Sequence, residues 1–196
     1  MIFLWLIRLA FLGLLTFEGA NYIRLLHFTI DYTWFGLLIT SLVVLVGLEL
    51  LTKFLQKFEG AALHWSIWLL AFVMVASDAF GDLFHWYSRW SWYDQINHFS
   101  GSAVATAILL VIFLSCRARF AWRFPDFLLG FLALGGASFL GAVYEIEEYL
   151  EDFFNLTNRL GDGPDTGNDL FMNTVGSLTI IGIFLLSRYV RRKTNR

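Results

Sequence analysis

The sequence has few charged residues, two prolines and one cysteine, and these shortages exclude whole classes of protein. Charged side chains make up 15% of the 196 residues, whereas hydrophobic side chains make up 58%. A soluble domain of this length would not have that balance. The single cysteine, Cys116, leaves no disulfide and no thiolate metal site. The composition therefore indicates a membrane protein.

Six long apolar runs have the length that a membrane-spanning helix needs. A helix that rises ~1.5 Å per residue crosses ~30 Å of hydrocarbon in about 20 residues. The runs cover residues 2–18, 33–51, 61–80, 97–115, 126–144 and 169–187. They are continuous and do not alternate, which excludes a transmembrane β-barrel. We predict an all-α polytopic protein with one transmembrane domain over residues 1–196, in which the first run is a retained helix and not a cleaved signal.

Lysine and arginine are concentrated in alternate connections, and this asymmetry predicts the orientation. The connections after helices 2 and 4 and the C-terminal tail hold ten of them, and the other three connections hold three. Because basic residues mark the cytoplasmic side, we expect both termini in the cytoplasm. The protein is then a multi-pass protein of the bacterial cytoplasmic (inner) membrane.

Thirteen of the sixteen acidic residues fall on the opposite, extracytoplasmic side. For loop acids such as Glu18 and Asp31, solvation is a sufficient explanation. The acidic outer connection at 145–168 is the longest in the chain, and long connections are often functional. This part of the sequence is therefore the first place to look for a site.

Two helix ends combine carboxylates with a histidine at helical spacing. At the end of helix 3, Asp78, Asp82 and His85 follow one another at i, i+4 and i+7, so a continuous helix would place them on one face. Asp94 and His98 have the i, i+4 spacing at the start of helix 4. Such a pair can ligate one cation, or the carboxylate can orient the imidazole. The remaining histidines have no carboxylate partner of this kind, and we interpret them as structural.

Helix 5 is expected to continue beyond the membrane as an amphipathic extension with five acids in eight residues. These acids are Glu145, Glu147, Glu148, Glu151 and Asp152. Glu145, Glu148 and Asp152 form an inward stripe, and Glu147 and Glu151 form a stripe that is easily solvated. Since five acids would repel one another, we expect a bound cation nearby, or an arginine such as Arg89 or Arg159.

Helix 6 follows a glycine-rich turn in which Asp165 or Asn168 can cap the helix. Helices 4 and 6 then share a pattern at equal spacing, which predicts a parallel repeat of helices 3–4 and 5–6. The pattern is Asp94, His98, Gly101 and Ser102 in helix 4, and Asp169, Asn173, Gly176 and Ser177 in helix 6. The glycines would allow the two backbones to approach closely.

The polar residues at these helix ends predict a divalent-metal site at the outer membrane interface. The candidate ligands are Asp78, Asp94, His98, Glu145, Glu148, Asp165, Asp169 and Asn173. Oxygen donors favour Mg²⁺, Mn²⁺ or Ca²⁺, and the histidine keeps Zn²⁺ and Fe²⁺ open. Such a metal would suit hydrolysis or transfer on a lipid-linked substrate. The expected partners are the lipid bilayer and that small molecule, and no nucleic acid.

No diagnostic enzyme motif is present: there is no G-x-S-x-G, no H-E-x-x-H and no G-x-x-x-x-G-K-[ST]. The outer side also lacks the basic residues that usually accompany a metal in phosphatases. Two alternatives to a metal-dependent membrane enzyme therefore stay open. One is an accessory or structural protein with a structural cation site, and the other is a cation or proton transporter.

Three segments in this order, "YDQINHF", "YEIEEY" and "DTGNDLFMNTVG", resemble the YjdF-like family of bacterial inner-membrane proteins. The same segments are more loosely similar to VanZ-like proteins. The resemblance covers roughly residues 78–180, and the aspartate pair Asp165 and Asp169 matches the YjdF-like pattern. It implies a shared architecture and a shared polar cluster, and no particular activity.

Overall fold

The computed structural model describes residues 2–59, 63–155 and 157–194, and within them every regular element is a helix. The helices are α1 Ile2–Tyr22, α2 Trp34–Glu59, α3 Trp65–Leu83, α4 Trp86–Arg89, α5 Tyr93–Arg119, α6 Asp126–Asn155 and α7 Gly163–Thr194. Among these, all except the short α4 are long and apolar enough to cross a membrane. The predicted polytopic all-α fold is therefore confirmed, and the orientation of the termini stays a prediction.

The helices extend further than the apolar runs, because polar residues continue them at their ends. Thus α6 continues through the acidic stretch to Asn155, and α7 begins at Gly163 instead of residue 169. The expected 24-residue connection at 145–168 is therefore mostly helical, and its described non-helical part is residues 157–162. Residues 61 and 62, where the third helix was expected to begin, lie outside the described residues.

The start of α7 corrects the predicted helix cap. The side chain of Asp162 accepts a hydrogen bond from the backbone N–H of Asp165 at 3.0 Å. Asp162 therefore caps the helix, since an N-cap side chain accepts from a backbone N–H two or three residues further on. Asp165 and Asn168 lie inside the helix. The proline at Pro164 fits the first turn, where its missing N–H costs nothing.

The end of α3 corrects the expected alignment of Asp78, Asp82 and His85. The helix ends at Leu83, and His85 has a left-handed backbone with φ of 57°. Its ring meets Asp31 at 2.6 Å, and Ser88 donates to the same carboxylate through its backbone N–H and its hydroxyl. Asp31 therefore has hydrogen-bond partners in His85 and Ser88, and it is not simply a solvated loop acid.

The chain forms two compact units. The first unit comprises residues 1–97 and 147–161, and the second comprises residues 98–146 and 162–196. The first contains α1 to α4 with the start of α5 and the end of α6, and the second contains most of α5, α6 and α7. A single domain over residues 1–196 stays a prediction.

Glycine brings α7 against α5 in the second unit. A Cβ atom at Gly176 would overlap the backbone carbonyl of Phe99, so only glycine fits there. The matching residue of the repeated pattern, Gly101, has open space where its Cβ would lie. The predicted close approach therefore holds at Gly176 and is wrong at Gly101.

This asymmetry predicts opposite effects of two matched substitutions. Gly176→Ala should destabilise the protein by about 1–3 kcal/mol, because the backbone carbonyl of Phe99 has to move. Gly101→Ala should be neutral or stabilising by up to about 1 kcal/mol, since alanine is the better helix former. Thermal unfolding of both purified variants beside the wild type measures the difference. Equal melting temperatures for the two variants would contradict the packing of α7 on α5.

Candidate functional site

A histidine lies between two carboxylates in the second unit, and three helices each supply one of these residues. His98 is on α5, Glu145 is on α6 and Asp169 is on α7. The ring atom Nε2 is 3.8 Å from Asp169 Oδ1, and Nδ1 is 3.9 Å from Glu145 Oε1. Their side chains are 3–7% exposed, so the group is shielded from solvent. We call these three residues the His98 cluster.

Asn173 belongs to the same region, one turn after Asp169 on α7. It is 5% exposed, and its amide nitrogen has no hydrogen-bond acceptor among the described residues. The amide faces Gly141 on α6, where a Cβ atom would overlap it. Gly141, one turn before Glu145 on α6, therefore leaves the space that the buried amide of Asn173 occupies.

The two ring nitrogens of His98 can take different roles. When one nitrogen of a histidine binds a metal, the other usually donates to a carboxylate that fixes the ring. Here each nitrogen has a carboxylate on its own side, Asp169 beside Nε2 and Glu145 beside Nδ1. The arrangement suits a metal held by Nε2 and Asp169, with Glu145 orienting the ring.

Three buried hydroxyl groups join α5 and α7 next to Asn173. Ser102 donates to the carbonyl of Asn173 and lies 2.6 Å from the hydroxyl of Ser177, and Thr106 donates to Ser177 at 2.9 Å. Ser102 and Ser177 occupy matching positions of the repeated pattern. Hydrogen bonds of this kind join helices inside membranes. These hydroxyls therefore join α5 to α7.

The acids of α6 in the first unit are paired with one arginine. Arg159 Nε donates to Glu148 at 3.0 Å, its Nη1 donates to Glu151 at 2.9 Å, and Nη1 lies 3.9 Å from Glu147. The expectation of an arginine beside this acidic stretch is met by Arg159. The expected solvation of Glu151 is wrong: it is 4% exposed, because Arg159 folds back over it.

Other groups of the first unit fix this arrangement. The carboxylate of Asp152 accepts from the backbone N–H groups of Arg159 and Leu160 at 2.7 and 2.9 Å. Glu151 also accepts from the backbone N–H of Gly36, where any side chain would overlap it and Arg159. We call Arg159 with Glu148 and Glu151 the Arg159 cluster.

Tyr32 lies beside the Arg159 cluster, with the guanidinium carbon of Arg159 5.9 Å from the centre of its ring. Burial raises the pKa of the Tyr32 hydroxyl, and the carboxylates of Asp94, Glu148 and Asp82 raise it further. Tyr32 therefore stays neutral and can act only as an uncharged neighbour of the arginine.

Asp78 and Asp82 on α3 have local partners in the first unit. Asp78 accepts from the hydroxyl of Tyr87 at 2.6 Å, and Asn97 in turn donates to that hydroxyl at 3.0 Å. Asp82 is 1% exposed and accepts from the backbone N–H of Tyr32 at 2.8 Å. Both carboxylates thus hold connections of the first unit in place.

The predicted ligands are therefore divided between the two units. His98, Glu145, Asp169 and Asn173 come together in the second unit. Asp165 is in the same unit, in the first turn of α7. Asp78, Asp94 and Glu148 belong to the first unit, Asp94 one turn before His98 on α5. A metal-binding role for each of them stays a prediction.

Glu18 is the buried acid that the sequence reasoning missed. It was expected to be solvated in a loop, but it lies within α1 and its exposure is 0%. The helix continues four residues past the end of the apolar run. The sequence contained one signal of this burial: Glu18 is spaced so that it lies on the same face of α1 as Ile7 and Phe11, which are buried.

Helices of spanning length, with polar side chains gathered at buried positions, define a polytopic helical membrane protein. The chain belongs to the family described as "Predicted membrane protein (DUF2238)", whose model matches residues 3–192. No curated protein and no solved structure matches the chain. The family match covers both units and all six long helices.

The pairing in the Arg159 cluster predicts a large effect of one substitution. Arg159→Met should destabilise the protein by about 3–5 kcal/mol, because two buried carboxylates lose their counter-charge. The matched control is Arg89→Met, since Arg89 is exposed and contacts the ring of Trp90. Its effect should stay within about 0.5 kcal/mol. Unfolding of both variants in detergent measures the difference, and equal stabilities would show that Arg159 is not a buried counter-charge.

Proposed function

We propose that the His98 cluster binds a divalent metal ion, and that this membrane protein uses the ion for hydrolysis or transfer on a lipid-linked substrate. The observation that carries the proposal is a buried imidazole with a carboxylate beside each nitrogen. Two carboxylates and one imidazole leave a net negative charge even when the histidine is protonated. A cation offsets that charge where solvent cannot.

The donor set limits the metal. The carboxylate oxygens of Asp169, with the Asn173 amide one turn away, suit Mg²⁺, Mn²⁺ or Ca²⁺. The imidazole of His98 extends the choice to Zn²⁺. A metal held there would supply Lewis acidity and an activated water when bound. In that chemistry Asp169 and His98 Nε2 hold the ion, and Glu145 orients the ring.

A structural cation is the second candidate, and the burial of the cluster favours it. Structural metal sites are closed by protein ligands, whereas catalytic sites keep a position open for water or substrate. His98, Glu145 and Asp169 come from three different helices, so an ion among them would join α5, α6 and α7. A metal bound for stability alone would use the same residues.

The first test is the metal content of the purified protein, measured by elemental analysis. The wild type should carry close to one divalent ion per chain, and Asp169→Asn and His98→Ala should lose it. Asp31→Asn is the matched control, because Asp31 and His85 form a carboxylate–histidine pair outside the cluster. That variant should keep its metal. Near-zero metal in the wild type and in every variant would refute the proposal.

Metal removal then separates the two uses of the ion. If the ion is structural, a chelator should lower the melting temperature by several degrees, and re-addition of metal should restore it. If the ion serves catalysis, the chelator should abolish turnover of a lipid-linked phosphate or ester with little change in melting temperature. The Asp169→Asn protein should not respond to the chelator in either measurement.

A further inference from the structure

Glu18 is a fully buried carboxyl group inside a membrane-spanning helix of the first unit. Its exposure is 0%, and it lies on α1, one turn before the helix ends at Tyr22. The hydroxyl of Ser41 on α2 donates to Glu18 Oε1 at 2.9 Å. The other oxygen, Oε2, has no hydrogen-bond partner among the described residues. An ionisable group at this depth is costly and is usually functional.

The charges around Glu18 do not offset a negative charge. Within residues 2–59, 63–155 and 157–194, no lysine, arginine or histidine forms an ion pair with it. Two groups influence the charge of Glu18: the Ser41 hydroxyl from α2 and the Asp78 carboxylate from α3. A negative charge on Asp78 repels one on Glu18. By contrast, Glu49 on α2 bonds the guanidinium of Arg8 at 2.6 Å.

Burial and charge together determine the state of this carboxyl group. An ionised carboxylate with one hydrogen bond and no counter-charge is far more costly to bury than a neutral acid, which leaves one hydrogen bond unmade. We infer that Glu18 is a proton-binding site: it carries a proton on Oε2 at neutral pH and accepts the Ser41 hydrogen bond on Oε1. The site is separate from the His98 cluster and belongs to the other unit.

Asp78, whose charge acts on Glu18, has hydrogen-bond partners of its own in the first unit. Asp78 accepts from Tyr87, Tyr87 accepts from Asn97, and Asn97 accepts from Ser77. These hydrogen bonds fix the position of the Asp78 carboxylate, whose negative charge repels one on Glu18.

The test is infrared spectroscopy of the full-length protein in lipid at neutral pH. A protonated carboxyl group has a C=O stretch that a carboxylate lacks. The difference spectrum between wild type and Glu18→Gln should show the loss of one such carboxylic-acid band. The matched control, Glu49→Gln, should instead lose carboxylate bands, because Glu49 forms an ion pair with the guanidinium of Arg8. Loss of carboxylate bands in Glu18→Gln would overturn the proposal.

A second variant and a cation titration complete the test. In Ser41→Ala the acid band should persist and shift to higher frequency, since the hydroxyl no longer bonds the C=O oxygen. An unshifted band would overturn the assignment to Glu18. Addition of Na⁺, K⁺ or Mg²⁺ should leave the band unchanged. Its disappearance on addition of one of them would show that Glu18 binds that cation in place of a proton.

Discussion

The cost of removing carboxylates from water is the physical constraint on which the rest of this structure depends. The helices are apolar, yet acids lie buried at their ends, and each has to be neutralised or hydrogen-bonded. Asp126 at the start of α6 accepts from three arginines, Arg117, Arg188 and Arg192. These pairs join α5, α6 and α7 at one end of the second unit. The acids therefore determine which helix ends are connected.

The same constraint is met differently in the Arg159 cluster and the His98 cluster. Arg159 reaches its carboxylates at 2.9 and 3.0 Å, which is the distance of a charge-assisted hydrogen bond. In the His98 cluster the corresponding distances are 3.8 and 3.9 Å, which is longer than a hydrogen bond. An arginine is a permanent part of the chain, whereas an ion can be exchanged. This is why we propose a metal ion, and chemistry at it, for the His98 cluster and not for the Arg159 cluster.

Apolar length and helical spacing predicted the helices. The spacing also predicted one cluster of eight polar residues, of which Glu145 and Asp169 lie beside His98, and a metal-binding role stays a prediction for all eight. Hydropathy does not determine where a helix ends, because capping and polar continuation do. Glu18 shows the consequence: an apolar run that ended at residue 18 made a buried acid look like a loop residue. The pairing of Arg159 with Glu151 depends on the course of the chain through residues 157–161, which local patterns do not specify.

The helices α5 and α7 share a repeated pattern, but at one matching position they carry different types of side chain. Ser102 and Ser177 occupy matching positions and meet at 2.6 Å, so the pattern has a real packing role. One turn earlier, the matching residues are His98 and Asn173, an imidazole and an amide. An amide does not titrate, so at this matched position only α5 carries a side chain that can gain a proton. The equal spacing therefore aligns the two helices, and the difference between His98 and Asn173 gives the matching positions different chemical properties.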